Sequence, residues 1–209
     1  MESNPGHFRI LTICTGNVCR SPLAAQLIND RLRDTPVITV TSAGVQALVD
    51  EPMPEPAQEL ARSLGVRNPG GHLGRQIDRD LVESADLILV MAREHRRAVV
   101  ELTPRATRKV FTIRGFARLA EATTDLDLAA EIGAGEAGGI ERLRAAVRAV
   151  TLSRDIFQPL RNPGDDDVTD PYRQGPKVYA QTAEDLLPAV ERTVELLRKS
   201  LTLPVEGEN

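Results

Sequence analysis

The sequence predicts an α/β fold: a four-stranded parallel, doubly wound sheet flanked by helices on both faces, with an extra helical hairpin inserted late in the chain. Two observations carry this prediction. Short β-branched or aliphatic runs alternate with longer amphipathic stretches, the pattern of a parallel sheet with crossover helices. The first apolar run also stops at a Gly-containing turn that leads directly into a helical pattern, and ligands of such sheets bind at the carboxyl ends of strands.

The elements follow in order. His7 to Ile13 is the first strand, and Ser21-Pro22 opens a helix carrying Leu23, Leu27, Ile28 and Leu32 on its apolar positions. Ser21 suits an N-cap, and Pro22 suits the first helical position because its missing N–H has no intrahelical partner there. Val37 to Thr41 is a second strand, followed by a Pro-rich loop and a helix near Pro56 to Leu64. Asp86 to Met91 and Lys109 to Ile113 complete the strands. Two helical stretches, Leu119 to Ile132 and Ile140 to Leu152, are joined by the Gly-rich GAGEAGG and read as a hairpin. An exposed loop from Arg161 to Asp167 leads to Thr169-Asp170-Pro171-Tyr172 and a last amphipathic helix from about Ala183 to Leu201.

Composition narrows the classes of function. The 209 residues, 41% of them apolar, suffice for one core and predict a single domain over 1–209. A net charge of -4 with no basic block gives no sign of nucleic acid as partner. No apolar stretch approaches the ~18 residues of a membrane span, so no membrane insertion and a cytoplasmic location are expected. Only two cysteines occur, Cys14 and Cys19, close together in one segment. That spacing suggests reactivity and not a secreted disulfide framework.

The segment Cys14-Thr15-Gly16-Asn17-Val18-Cys19-Arg20-Ser21 sets a thiol and a guanidinium at the two ends of a tight loop running into a helix N-terminus. Backbone N–H groups in such a loop point inward, the helix dipole adds positive potential, and the planar fork of Arg20 matches two phosphate oxygens. The same field favours the Cys14 thiolate, poised for in-line attack on phosphorus. The plainer alternative is a buried apolar Cys14 at a strand end, which leaves Arg20 without a purpose.

CTGNVCRSP resembles the signature loop of the low-molecular-weight protein tyrosine phosphatases, and Ser42-Ala-Gly44 and Asp170-Pro-Tyr172 resemble two further motifs of that family. The similarity covers residues 8 to about 115 and 168 to 200, including the segments Gly71 to Ile77 and Ala85 to Met91. By that resemblance Cys14 is the nucleophile, Arg20 grips the phosphate, and Asp170 is the acid that protonates the departing phenolate and later the base that activates water. Thr15, Gly16, Asn17, Val18 and Cys19 then line the phosphate, while Ser21, Ser42 and His72 support the loop. For His72 an ordinary surface histidine is the other reading. For Cys19 the resemblance implies a partner that traps an oxidised Cys14 as a disulfide, and packing is the alternative. Asp165, Asp166 and Asp167 are rival acids, but a run of three reads first as a solvated loop and second as a cation site. No metal and no cofactor are expected.

Phosphotyrosine needs a deep slot with apolar walls, for which Tyr172 and Leu48 are the candidates. Leu48 resembles the bacterial, exopolysaccharide-associated branch, whose members act on autophosphorylating tyrosine kinases. The expected partners are therefore phosphotyrosine-bearing proteins, such a kinase among them. Protein-arginine phosphatase is the alternative activity; it goes with Thr where this loop has Val18. Arsenate reduction would need further cysteines that the chain does not carry. A phosphotyrosine-binding regulator without turnover is the alternative from another class. The resemblance breaks over an insertion at approximately 117–160, which either packs beside the site's mouth or extends an edge of the fold.

Overall fold

A computed structural model describes residues 6–133, 137–154 and 162–204. Four strands, β1 (Phe8–Cys14), β2 (Ile38–Gly44), β3 (Leu87–Val90) and β4 (Val110–Thr112), form one parallel sheet in the order β2-β1-β3-β4. β1 lies between β2 and β3, with Ile13 opposite both Ala43 and Val90. All four β3 residues are buried, as a parallel strand covered on both faces requires.

Helices cover both faces. Phe8, Ile10, Leu87, Leu89 and Phe111 point to one side, towards α1 (Arg20–Arg31), α5 (Ile113–Ala122), α7 (Gly139–Ser153) and α8 (Pro176–Thr202). Leu11, Ile13, Ile88, Val90 and Val110 point to the other, towards Val82 of α3 (Arg79–Ser84) and Val99 of α4 (Arg93–Leu102). The other α-helices among the described residues are α2 (Glu55–Ser63) and α6 (Asp125–Ile132). The α/β, doubly wound prediction holds.

Several boundaries differ from the sequence reading. α1 starts at Arg20, so Ser21 lies inside its first turn; the N-cap residue is Cys19, with no side-chain cap. Pro22 is consequently the third helical residue, still among the positions whose N–H has no intrahelical acceptor. The stretch from Leu119 to Ile132 is interrupted, because Thr124 and Asp127 form a reciprocal capping box that restarts the chain as α6. α8 begins at Pro176, seven residues before the expected start, since Pro at the first turn is an initiator and not a barrier. Part of the GAGEAGG link, the last residues of the expected 117–160 insertion and Arg161 lie outside the described residues.

The hairpin of α6 and α7 packs at the amino ends of the strands, away from Cys14. Arg144 of α7 donates to Asp86, just before β3, at 2.9 Å, and Thr151 donates to the Arg108 carbonyl at 3.0 Å. The Arg154 guanidinium lies 3.4 Å over the Phe111 ring and donates to the carbonyls of Thr107 and Val110. None of the described residues of this segment lines the space around Cys14, and α7 lies over a sheet face with Leu143, Ala146 and Val150 in the core.

Candidate active site

β1 delivers Cys14, 3% exposed, to the carboxyl end of the sheet, and residues 15–19 carry the chain round to α1. Asn17 takes a left-handed conformation with φ 56°, which asparagine tolerates better than most residues. Its side chain ties three segments together. Nδ2 donates to Ser21 Oγ at 3.0 Å and Ser42 Oγ at 2.9 Å, and Oδ1 accepts from the Arg75 N–H at 2.8 Å. His72 Nε2 lies 2.6 Å from the Asn17 carbonyl, which can only accept, so that nitrogen carries a proton. Burial, opposed by this hydrogen bond and aided by the Arg75 charge, lowers the His72 pKa from its ordinary value. Ser21, Ser42 and His72 thus all contact Asn17, which the sequence reading set among the phosphate-lining residues but which is fully buried behind the loop.

The loop's outer edge is closed from the β2 side. The N–H groups of Val45, Gln46 and Leu48 donate to the carbonyls of Cys14, Thr15 and Gly16 at 2.9–3.0 Å. A side chain on Gly44 would bring its Cβ within 2.5 Å of the Thr15 carbonyl oxygen, which is why this position is glycine. With its carbonyls held outward, the loop keeps its N–H groups for the interior. Among the described residues, none of the N–H groups of Thr15 to Cys19 donates to a protein backbone acceptor. Together with the start of α1 they form an anion cradle.

Cys14 Sγ lies 3.0 Å from Ser21 Oγ. A thiolate has no proton to give, so in that state the Ser21 hydroxyl is the donor. Cys19 is a free, buried thiol whose pKa is pushed up to about 12, by burial first and then by Cys14, against a hydrogen bond from Tyr179.

Arg20 is 5% exposed and bonds to the opposite wall: Nη2 to Asp170 Oδ2 at 2.6 Å, Nη1 to the Val168 carbonyl at 3.3 Å. Asp170 is held by its own loop, accepting from the Tyr172 N–H at 3.2 Å. That loop is pinned by Asp185 of α8, which accepts from the Thr169 N–H and hydroxyl at 3.0 and 2.7 Å. Burial pushes the Asp185 carboxyl up, but the Thr169 and Gln181 hydrogen bonds and Arg114 outweigh it and hold it below the usual range.

A cavity of about 160 Å³ is lined by Cys14, Thr15, Gly16, Val18, Cys19 and Arg20 at its base, with Gln46, Leu48, Asp170 and Tyr172 around it. Every residue proposed from sequence to touch substrate, apart from the buried Asn17, reaches this one space. The three aspartates do not: Asp166 pairs with Arg118 at 3.1 Å and Asp167 accepts from the Arg93 N–H at 2.8 Å, so two of them tether the loop instead of lying in solvent. No group of residues with metal-holding geometry occurs among the described residues. Gln46, Arg75, His95 and Asp185 were given no role by the sequence reading, although Arg75 lies inside the quoted segment Gly71 to Ile77.

The model for "Low molecular weight phosphotyrosine protein phosphatase" matches residues 9–150. This chain belongs to that family. The match includes Cys14, Arg20, Ser42 and His72 and ends before Asp170. The low molecular weight protein-tyrosine-phosphatase Etp of Escherichia coli K12 is 41% identical over 95 residues, covering 46% of this chain and 62% of Etp. The matches to Etp and to the "Putative low molecular weight protein-tyrosine-phosphatase" of Klebsiella pneumoniae span 62–67% of those proteins' own length. A protein-arginine-phosphatase of Geobacillus stearothermophilus is 34% identical over 139 residues, covering 66% of this chain and 86% of that protein. The solved structure of the tyrosine phosphatase Wzb from Escherichia coli K30 with sulphate superimposes at TM-score 0.63 and 26% identity, over 91% of this chain and 99% of that one. The bacterial branch expected from Leu48 is thus represented among the relatives of this family member.

Proposed function

We propose that this family member is a cytoplasmic protein-tyrosine phosphatase that works through a phosphocysteine intermediate. The observation that carries the reading is the convergence of Cys14, the free loop amides, Arg20 and Asp170 on one 160 Å³ cavity between Leu48 and Tyr172.

The Cys14 thiolate attacks phosphorus in line, and the bond from phosphorus to the phenolic oxygen breaks. Asp170 gives its proton to that oxygen. In the second step Asp170, now a carboxylate, takes a proton from water; the water oxygen bonds to phosphorus and the P–S bond breaks, releasing phosphate and restoring the thiolate. Ser21 donates to the sulfur as leaving group. Arg20 is shared with Asp170 in the free site, and a dianionic phosphate competes for its fork. Leu48 and Tyr172 flank the aryl ring, and phosphotyrosines on a bacterial tyrosine kinase or its targets are the substrates this reading favours.

Cys14→Ser tests the mechanism: hydrolysis of p-nitrophenyl phosphate should fall to background while inorganic phosphate still binds. Turnover surviving in that variant removes the phosphocysteine pathway, and absence of wild-type turnover leaves a phosphotyrosine-binding regulator. Phosphoarginine is the second reading, favoured by the coverage of the arginine-phosphatase relative. Against it stands the apolar Val18, 3% exposed, in the cavity wall. Phosphotyrosine and phosphoarginine peptides at matched concentration decide between them.

A further inference from the structure

His95 lies in the first turn of α4, is fully buried, and belongs to no motif in the sequence. Its Nε2 is 2.9 Å from Thr15 Oγ1 and 3.5 Å from the Glu94 carboxylate, whereas its Nδ1 is buried without a partner. Burial, and then the charge of Arg20, push its pKa down to about 4, so at neutral pH the ring carries a single proton. On Nδ1 that proton would be a buried donor with no acceptor, an arrangement native structures avoid. On Nε2 it meets a hydroxyl oxygen and a carboxylate oxygen, both able to accept. Nε2–H therefore donates to Thr15.

Arg20 Nη2 approaches the same Thr15 oxygen from another side, at 3.5 Å. With N–H groups on two sides of that oxygen, the hydroxyl's own hydrogen must turn away from both. Thr15 lines the cavity, which gives that hydrogen a direction away from both donors.

We propose that His95 is a positioning residue that makes the Thr15 hydroxyl a hydrogen-bond donor aimed at the bound phosphoryl group, so that a neutral side chain supplements the loop amides and Arg20. The proposal rests on the phosphatase reading above and adds to it a specific donor and the group that orients it. A hydroxyl free to rotate would spend part of its time presenting a lone pair to an anionic oxygen, which repels; the imidazole N–H removes that orientation.

The test is a cycle of Thr15→Val, His95→Leu and the double variant, with Thr15→Ser and His95→Gln as conservative controls. The glutamine amide can place an N–H where imidazole Nε2 stands. Hydrogen bonds to charged groups are the stronger kind, so each disruptive variant should lower kcat/KM for p-nitrophenyl phosphate about tenfold or more and weaken competitive inhibition by inorganic phosphate in parallel. The double variant should be no worse than Thr15→Val, while Thr15→Ser and His95→Gln recover to within about threefold of wild type. Wild-type values for His95→Leu, or losses that multiply in the double variant, overturn the proposal. If His95→Leu does not fold, Thr15→Val and His95→Gln decide alone: wild-type phosphate inhibition in Thr15→Val, or a His95→Gln as impaired as Thr15→Val, overturns it. A wild-type protein without turnover would instead sink the phosphatase reading, and calorimetric binding of inorganic phosphate to wild type and Thr15→Val would then test the Thr15 donor by itself.

Discussion

The two ends of the sheet use polar side chains for different purposes. At the carboxyl ends of the strands, Asn17, Arg75 and the N–H groups of Val45, Gln46 and Leu48 take up carbonyls and side-chain acceptors of the loop and of β2, leaving inward N–H groups free. At the amino ends, Arg144 and Arg154 of the α7 region spend their donors on the Asp86 carboxylate and on the carbonyls of Thr107 and Val110. One end stores unsatisfied donors in a fixed geometry, the preorganisation that anion stabilisation needs. The other end satisfies its groups and gains cohesion. Similar chemistry thus yields a site where the network ends in free N–H groups, and only packing where it closes on itself.

The strongest way to break this contrast is Gly44→Ala. The new methyl would meet the Thr15 carbonyl at 2.5 Å, the Asn17 side chain at 3.0 Å and the Ala47 backbone at 3.1 Å, none of which is the far end of a flexible side chain. The loop must move, so aryl phosphatase turnover should fall more than about 100-fold with a stability loss of about 2–3 kcal/mol. Wild-type turnover in this variant would show that the loop's shape does not depend on its outer edge.

Asn17→Ala comes next. It strands the Arg75 N–H, removes the Nδ2 donor from the Ser42 and Ser21 hydroxyls, of which Ser21 keeps Cys14 and the Ala43 carbonyl, and puts alanine at φ 56°. The expected cost is about 2–4 kcal/mol, read by chemical denaturation, with roughly tenfold lower turnover. A loss below about 1 kcal/mol would mean that the loop is held from elsewhere.

How much of this was legible without coordinates depends on where each partner comes from. The loop from Cys14 to Ser21 is contiguous, so its thiol, guanidinium and glycine appear together in the sequence. Strand and helix periods were equally local, and β1 to β4 were found. Ser21 reads as a cap in sequence, yet its hydroxyl is occupied by Asn17 and Cys14, a tertiary demand that local pattern does not show. The Leu119–Ile132 stretch keeps its apolar spacing through Thr123-Thr124, hiding the capping box that breaks it. Arg75, His95 and Asp185 act on residues 58, 80 and 16 positions away, and only the fold brings them to the site. The hairpin's place at the far end of the sheet is likewise set by Asp86 and the β4 carbonyls, and not by its nearness in sequence to Asp170.

The pH dependence of stability offers a smaller test of the site end. His95 is fully buried, and its folded-state pKa of about 4 lies below the ~6.5 of an unfolded histidine. The unfolded chain therefore binds the proton first as pH falls. Stability is complete above about pH 6.5 and declines towards pH 4, by on the order of 2–3 kcal/mol from this group. His72, also lowered, acts in the same direction. His95→Gln should flatten the pH 4–6.5 limb of the denaturation midpoint without raising the plateau above pH 7. An unchanged slope would assign the acid sensitivity to carboxylates instead.

The smallest effect belongs to the opposite end, and it is the one that separates the two. Arg144→Ala removes the 2.9 Å bond to Asp86 and the pairing with Glu141, but Asp86 keeps the Arg9 N–H at 2.9 Å and is not left without a donor. Arg144 is about one-third exposed, so water replaces much of what is lost. The cost should be about 1 kcal/mol in chemical denaturation, near the upper end for accessible ion pairs. Turnover of p-nitrophenyl phosphate should stay within about twofold of wild type, because no α7 side chain reaches the cavity. A drop of fivefold or more, at unchanged fold, would show that the sheet transmits strain from Asp86 along β3 to the loop at Met91 and His95. The hairpin would then belong to the working parts of the site. Unchanged turnover with the modest stability loss would leave it as cohesion, and the loop's preorganisation would rest on the network around Asn17 and on the N–H groups of Val45, Gln46 and Leu48.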